Sequence, residues 1–212
     1  MVHLRHVIPL AFFTCISCDK NTLEFKLEEP TAIVVDASNN KPIEGAHILA
    51  EWRMEGGFGM HARGLPSLYI ATSTTNTEGI FAVEVPSGTI RYRTDAYKPR
   101  MKHSEPTILV FKVGYDYEII SGTSLPTYLT DPKNSTIELK PNGIVTPDDI
   151  GHWYRVDHIE GFLSSLVINC KVDMFPSFYT HLKDYIDHQK RLAHQPLEPQ
   201  TWTCKDNTYE YY

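Results

Sequence analysis

The sequence predicts a mainly β chain, an antiparallel sandwich with a helical hairpin at its C-terminal end. Three observations lead there. Short β-branched or alternating apolar runs recur between residues 31 and 140. Clusters of Asn, Asp, Gly, Pro and Ser separate those runs. Beyond residue 144 the apolar spacing changes from a period of two to that of a helix. The boundaries read from these signals are 1–17 as a leader, 18–30 as a linker, 31–143 as the β domain and 144–212 as a helical extension.

The leader comes first. Arg5 and two histidines precede Val7 to Ile16, a ten-residue, largely apolar run. A bilayer span needs about 20 apolar residues, so the run suits the core of a secretory signal peptide instead. It ends at Ile16-Ser17-Cys18. Small residues just before a cysteine resemble the lipobox of bacterial lipoproteins, although Cys15 stands where that pattern has Leu. The resemblance implies cleavage before Cys18, acylation of Cys18 with palmitate-type chains, and a protein held to a membrane of the cell envelope, facing the periplasm. Cys15 is the other candidate for acylation, and release as a soluble secreted protein is the alternative to anchoring. Asp19 follows the proposed acylated residue. In enterobacterial lipoproteins this favours the inner membrane, a rule that varies among bacteria.

The composition agrees with a folded body. The 212 residues are 42% hydrophobic and 22% charged, ordinary values for a globular chain with a real core. Net charge is −6. Loss of residues 1–17 removes only Arg5, so Lys+Arg falls from 20 to 19 against 26 acids and the net charge becomes −7. Such a body is a poor binder of nucleic acid. Cys170 and Cys204 remain. In an oxidising compartment they are expected to pair, closing a loop of about 35 residues worth roughly 3–4 kcal/mol. Their spacing suits neither a zinc site nor a redox Cys-x-x-Cys.

Residues 22–30 read as a linker leading to a first strand. Ile33, Val34 and Val35 form a β-branched run, and the turn-rich segment 36–42 follows, with Asn39-Asn40 suited to left-handed dihedrals. The chain then returns with Ala46, Ile48 and Ala50 on one face and His47 and Leu49 on the other, so the two runs read as a hairpin. Arg53 to Ser67 is expected to be a mobile loop at the sandwich edge. Asn76, Glu78 and Gly79 mark a turn, and Phe81, Val83 and Val85 alternate after it. "TIRYRT" and "TILVFKVGYDYEII" continue as strands, the latter alternating through Ile108, Val110 and Lys112, and "STIELKP" closes the β region.

Taken in order, "VVDASNNKPIEGAHI", "TNTEGIFAVEVP" and "LVFKVGY" resemble the carboxypeptidase regulatory-like domain family. The matching positions are Asp36, Pro42, Ile43, Gly45, Ala46, Thr75, Gly79, Phe81, Gly114 and Tyr115. The resemblance covers about half the chain. Ala32 departs from it where Gly often begins the first strand, and segments 53–67 and 95–106 look like long insertions. It implies a transthyretin-like Greek-key β-sandwich serving as a structural or binding module. It transfers no catalytic residue and implies no peptidase activity.

In the tail, Thr146, Pro147 and Asp148-Asp149 suit a helix start. Ile150, Trp153, Ile159, Phe162, Leu163, Leu166 and Val167 follow at approximate helical spacing, with a break allowed near Gly161. Pro176 opens a second helix with Phe178, Leu182, Tyr185, Ile186 and Leu192 on one face.

Candidate chemistry is sparse. His181, Asp184 and His188 lie at i, i+3 and i+7, and together they have ligand types suited to zinc. A solvated helix flank accounts for them without metal. His152, Asp157 and His158 do not share a helical face. Phe58, Met60 and His61, in the loop expected at 53–67, are candidates for contact with a partner. That loop lacks the Gly-Lys-Ser/Thr of a phosphate loop, and no Gly-x-Ser-x-Gly or Ser-x-x-Lys pattern occurs. The expectation is a non-catalytic protein with no cofactor. Its partner would be a protein, a peptide or a glycan. A metal-dependent enzyme built on the histidine-rich tail, or a subunit of an envelope secretion complex, is the alternative.

Overall fold

The computed structural model describes residues 21–57, 63–94, 96, 98–101, 105–121, 135–143, 149–168 and 175–195. Ten strands and two helices form among them. In chain order these are β1 (Asn21–Phe25), β2 (Thr31–Asp36), β3 (His47–Gly56), β4 (Arg63–Thr74), β5 (Ile80–Ala82), β6 (Ile90–Thr94), β7 (Arg100–Met101), β8 (Thr107–Phe111), β9 (Glu118–Ile120), β10 (Thr136–Leu139), α1 (Ile150–Ile168) and α2 (Pro176–Leu192).

The strands divide into three sheets. β2 is the middle of a three-stranded sheet, antiparallel to β5 and parallel to β10. β3 is the spine of the larger sheet, ordered β4-β3-β8-β9, with β7 added beside Met54 and Glu55. β1 and β6 form an antiparallel ribbon. The chain is therefore mainly β and mostly antiparallel, as expected, with β10 the parallel exception.

Two apolar layers hold these parts together. Ala32, Val34, Phe81, Ile137 and Leu139 of the small sheet meet Ile48, Ala50, Trp52, Met54, Ile108 and Val110 of the large one. On the opposite face of the large sheet, Leu49, Ile70, Leu109 and Phe111 pack against the helices. These contribute Ile159, Phe162 and Leu163 from α1 and Phe178, Leu182, Tyr185 and Ile186 from α2. The alternation of Ile48 and Ala50 against Leu49 thus sorts side chains into two different cores. β8 is buried at every residue, Thr107 to Phe111, because both its faces are covered.

Several expectations are corrected. The runs at 33–35 and 46–50 are not a hairpin: β2 and β3 lie in different sheets. The chain crosses between layers at Gly45, whose φ of 68° suits glycine. Ala32 and Val34 then face Ile48 and Ala50 across the core instead of lying beside them. Residues 18–30, expected as a linker, contain β1 and the buried Leu27. Segment 53–67 is largely a long hairpin, since β3 runs to Gly56 and β4 starts at Arg63, with a register shift between Trp52 and Met54. The expected turn at Asn39-Asn40 forms, with Asn40 at φ 57°.

α1 starts after Asp149, whose Oδ1 accepts from the His152 backbone N–H at 2.9 Å. Thr146, Pro147 and Asp148 lie outside the described residues. The buried face is His152, Val156, Ile159, Phe162 and Leu163. Ile150 and Trp153, expected on the apolar face, are 67% and 45% exposed. α1 runs through Gly161 without a break, and a β-carbon there would touch nothing within 4 Å. Gly161→Ala is therefore expected to raise stability by about 0.5–1 kcal/mol, through helix propensity and a less flexible unfolded chain. Chemical denaturation of the two proteins, compared at equal m-value, checks this.

Candidate functional site

The residues that carry the family resemblance are spread over 80 positions, yet most of them meet at one corner of the β region. Thr75 is the centre. Its buried hydroxyl donates to Ile43 O at 2.6 Å and accepts from Ala46 N–H at 2.8 Å. Its backbone exchanges hydrogen bonds with Gly45 N–H and Ala46 O, both at 3.0 Å. Gly79 O accepts from Val34 N–H at 2.8 Å. With φ at 72°, a β-carbon on Gly79 would sit 2.5 Å from Val34 O and 3.0 Å from the Pro42 Cβ. Only glycine fits there. Phe81, 1% exposed, anchors the strand that follows.

Asp36 ends β2 and ties this corner to the next turn. Its Oδ1 accepts from the Ser38 hydroxyl at 2.6 Å and the Ser38 N–H at 2.7 Å, and its Oδ2 accepts from the Tyr115 hydroxyl at 3.1 Å. The bonds from Ser38, and then that from Tyr115, hold the carboxyl below its ordinary range. Burial first, then the Asp36 carboxylate, pushes the Tyr115 phenol up.

Tyr115 is also where α2 docks. Its carbonyl accepts from the Tyr185 hydroxyl at 2.9 Å and from Gln189 Nε2 at 3.1 Å. Gln189 Nε2 reaches Asn142 Oδ1 at 3.3 Å as well. The Gln189 carbonyl lies 3.1 Å from Nε2 of His152, which is 1% exposed. A carbonyl only accepts, so that nitrogen carries the proton. Nδ1 then faces Arg155 Nη2 at 3.4 Å as an acceptor. Arg155 Nε also lies 3.6 Å from Asp116 Oδ1. Lys190, 7% exposed, meets Glu160 Oε1 at 2.5 Å and joins α2 to α1. Gln189 Oε1 and Asn142 Nδ2, an acceptor and a donor, find no partner among the described residues.

A second polar feature lies under α2. His47 projects from β3 and its ring stacks on His181, centroids 4.2 Å apart and planes 19° from parallel. Phe111 is the other ring contact of His47, stacked on it with centroids 5.2 Å apart. Burial, then His181 and Lys112, lowers the His47 pKa to about 4. His188 is lowered by burial and by Arg191.

The sequence-derived candidates fare unequally. His181 and Asp184 are exposed and His188 is half-buried. His181 is engaged by His47 rather than by the other two. Among the described residues no group of three His, Cys, Asp or Glu side chains is arranged to hold a metal. His152 turns inward while Asp157 and His158 are exposed, and His158 Nδ1 pairs with the Tyr117 hydroxyl at 2.8 Å. Cys18, Phe58, Met60, His61, Cys170 and Cys204 lie outside the described residues. Missed from sequence were the roles of Tyr185, Gln189 and Lys190. The two polar residues were hidden on the apolar face of α2, where a Gln and a Lys read as solvent-facing. The one available signal was the lack of an apolar residue between Ile186 and Leu192.

Comparison with family models, with curated proteins and with solved structures finds no match to this chain.

Two outcomes follow from the geometry. Thr75→Val keeps the shape but strands the Ile43 carbonyl and the Ala46 N–H, and is expected to cost about 2–4 kcal/mol, against under about 1.5 for Thr75→Ser. Urea unfolding of both variants distinguishes them. His47 binds its proton less readily folded than unfolded, so between pH 6.5 and 4 the unfolded chain holds more protons. Stability should therefore rise with pH across that window and fall on acidification. His47→Phe should flatten the dependence, read from melting temperature against pH.

Proposed function

We propose that this chain is a non-catalytic, lipid-anchored protein of the cell envelope. In this reading a transthyretin-like Greek-key sandwich presents loops to a protein, peptide or glycan partner, and acylated Cys18 holds it to the membrane facing the periplasm. One observation carries the module assignment. Asp36, Gly45, Ala46, Thr75, Gly79 and Tyr115 match the regulatory-like domain pattern in sequence, and here they serve as parts of one hydrogen-bonded corner. Residues that match a family pattern by chance have no reason to share partners.

The same corner supports a structural role. Its polar groups are spent on backbone carbonyls and N–H groups and on one another, so their chemistry is directed at holding strands. The docking of α2 through Tyr115, with α1 joined to α2 by His152 and Glu160, supports treating the tail as a part of the same body. The lipobox-like Ile16-Ser17-Cys18 supports the anchor. Among the described residues no helix is long and apolar enough to cross a membrane.

Labelled-palmitate incorporation tests the anchor. The label is expected in the unaltered protein and in Cys15→Ala, and lost in Cys18→Ala. Label surviving in Cys18→Ala moves the anchor to Cys15. An intact, unlabelled polypeptide in the cytosol overturns the reading. Affinity capture of the anchored protein then separates a small binding module from a subunit of a secretion complex. Stoichiometric zinc that disappears in His181→Ala/His188→Ala would favour a metal enzyme instead.

A further inference from the structure

We infer that the exposed first turn of α1 is a docking surface for this chain's own Pro196-Leu197-Glu198-Pro199 stretch, held there in an extended, polyproline-type conformation. The inference is independent of the anchor, and three observations carry it.

The first is the surface. Among the described residues four large apolar side chains are exposed, Val113, Ile150, Trp153 and Tyr154. Three of the four belong to the start of α1, where Tyr154 is 71% exposed. Their spacing of i, i+3 and i+4 makes Ile150, Trp153 and Tyr154 one stripe. His152, 1% exposed, faces α2 instead.

The second is the way the chain leaves α2. His152 Nε2 bonds the Gln189 carbonyl at 3.1 Å, which sets the last turns of α2 beside the first turn of α1. α2 then closes in a Schellman motif. His194 takes a left-handed φ of 54°, its N–H donates to Arg191 O at 3.2 Å, and the Gln195 N–H donates to Lys190 O at 2.9 Å. The last bond folds Gln195 back against the helix end, so the chain turns off the α2 axis. Pro196 is the next residue, and 196–212 lie outside the described residues. Four polyproline-type steps from Gln195 to Pro199 cover about 12 Å, the diameter of one helix with its side chains. The stretch is therefore long enough to cross α1 from the α2 side to the stripe.

The third is chemistry. Pro196 and Pro199 are three residues apart. A polyproline helix has three residues per turn, so both rings fall on one edge. Such Pro-x-x-Pro edges dock on aromatic surfaces, because a chain already extended loses little entropy on binding. Trp153 and Tyr154 supply the aromatic rings and Ile150 extends the apolar area beside them. A Pro-rich segment of another protein fits the same chemistry. The short covalent link gives this chain's own stretch an effective concentration of about millimolar, which favours it.

Photo-cross-linking of the full chain tests the contact. Tyr154 is replaced by p-benzoylphenylalanine, which the exposure of that side chain accommodates. Irradiation is expected to join it to a peptide containing 196–199, in protein that migrates as a monomer. Adding Pro196→Ala/Pro199→Ala is expected to abolish that product. With Tyr154 intact, the same proline variant should exchange backbone hydrogen faster over residues 149–156. Each methylene withdrawn from water is worth roughly fourfold, so losing one at each proline gives up to about 15-fold. Peptides covering β8 should exchange as before, which reports an intact fold. A cross-linked dimer assigns the stripe to a second copy and overturns the inference. A cross-link to any other segment, or none at all, overturns it as well.

Discussion

Two-sided burial of the large sheet is the constraint on which the rest of the molecule depends. β3 and β8 have one face against the small sheet and the other against the helices. Neither layer can be removed without exposing a continuous apolar surface. A buried Leu, Ile or Phe side chain is worth about 1.5–3 kcal/mol, and each face of this sheet has several. The helices are accordingly not an appendage to a finished β domain. Leu49, Ile70, Leu109 and Phe111 share one buried cluster with the inner faces of α1 and α2.

Given that constraint, the polar contacts set register more than they supply stability. Thr75, Asp36 and Tyr115 satisfy backbone and carboxylate groups at the places where the chain passes from one layer to another. Tyr185 and Gln189 then read the position of the Tyr115 carbonyl. An apolar interface alone tolerates sliding of a helix over a sheet. Directional bonds to a single carbonyl do not. The same logic applies to Lys190 and Glu160, whose pairing at low exposure sets α2 against α1.

The histidine pair under α2 shows how a sheet–helix seam acquires a pH response. Neutral, the His47 ring packs between His181 and Phe111. Protonated, it would place a charge in a half-buried seam beside His181 and Lys112. The seam combines ordinary packing with a charge that only acid reveals.

Sequence alone determined the class of the fold, the positions of most strands, and the face of α2 that is buried. It did so because alternation and helical period are local consequences of backbone geometry. It also marked Gly45, Gly79 and Asn40, whose backbone requirements are met within one turn. Which strands are neighbours was decided only in three dimensions. β2 and β3 have the pattern of a hairpin, yet apolar Ala32 and Val34 gain more by facing Ile48 and Ala50 across a core than by lying beside them. The exposure of Ile150 and Trp153, the burial of His152 and Gln189, and the meeting of His47 with His181 were settled the same way. Each depends on what another, distant segment presents, and no local period encodes that.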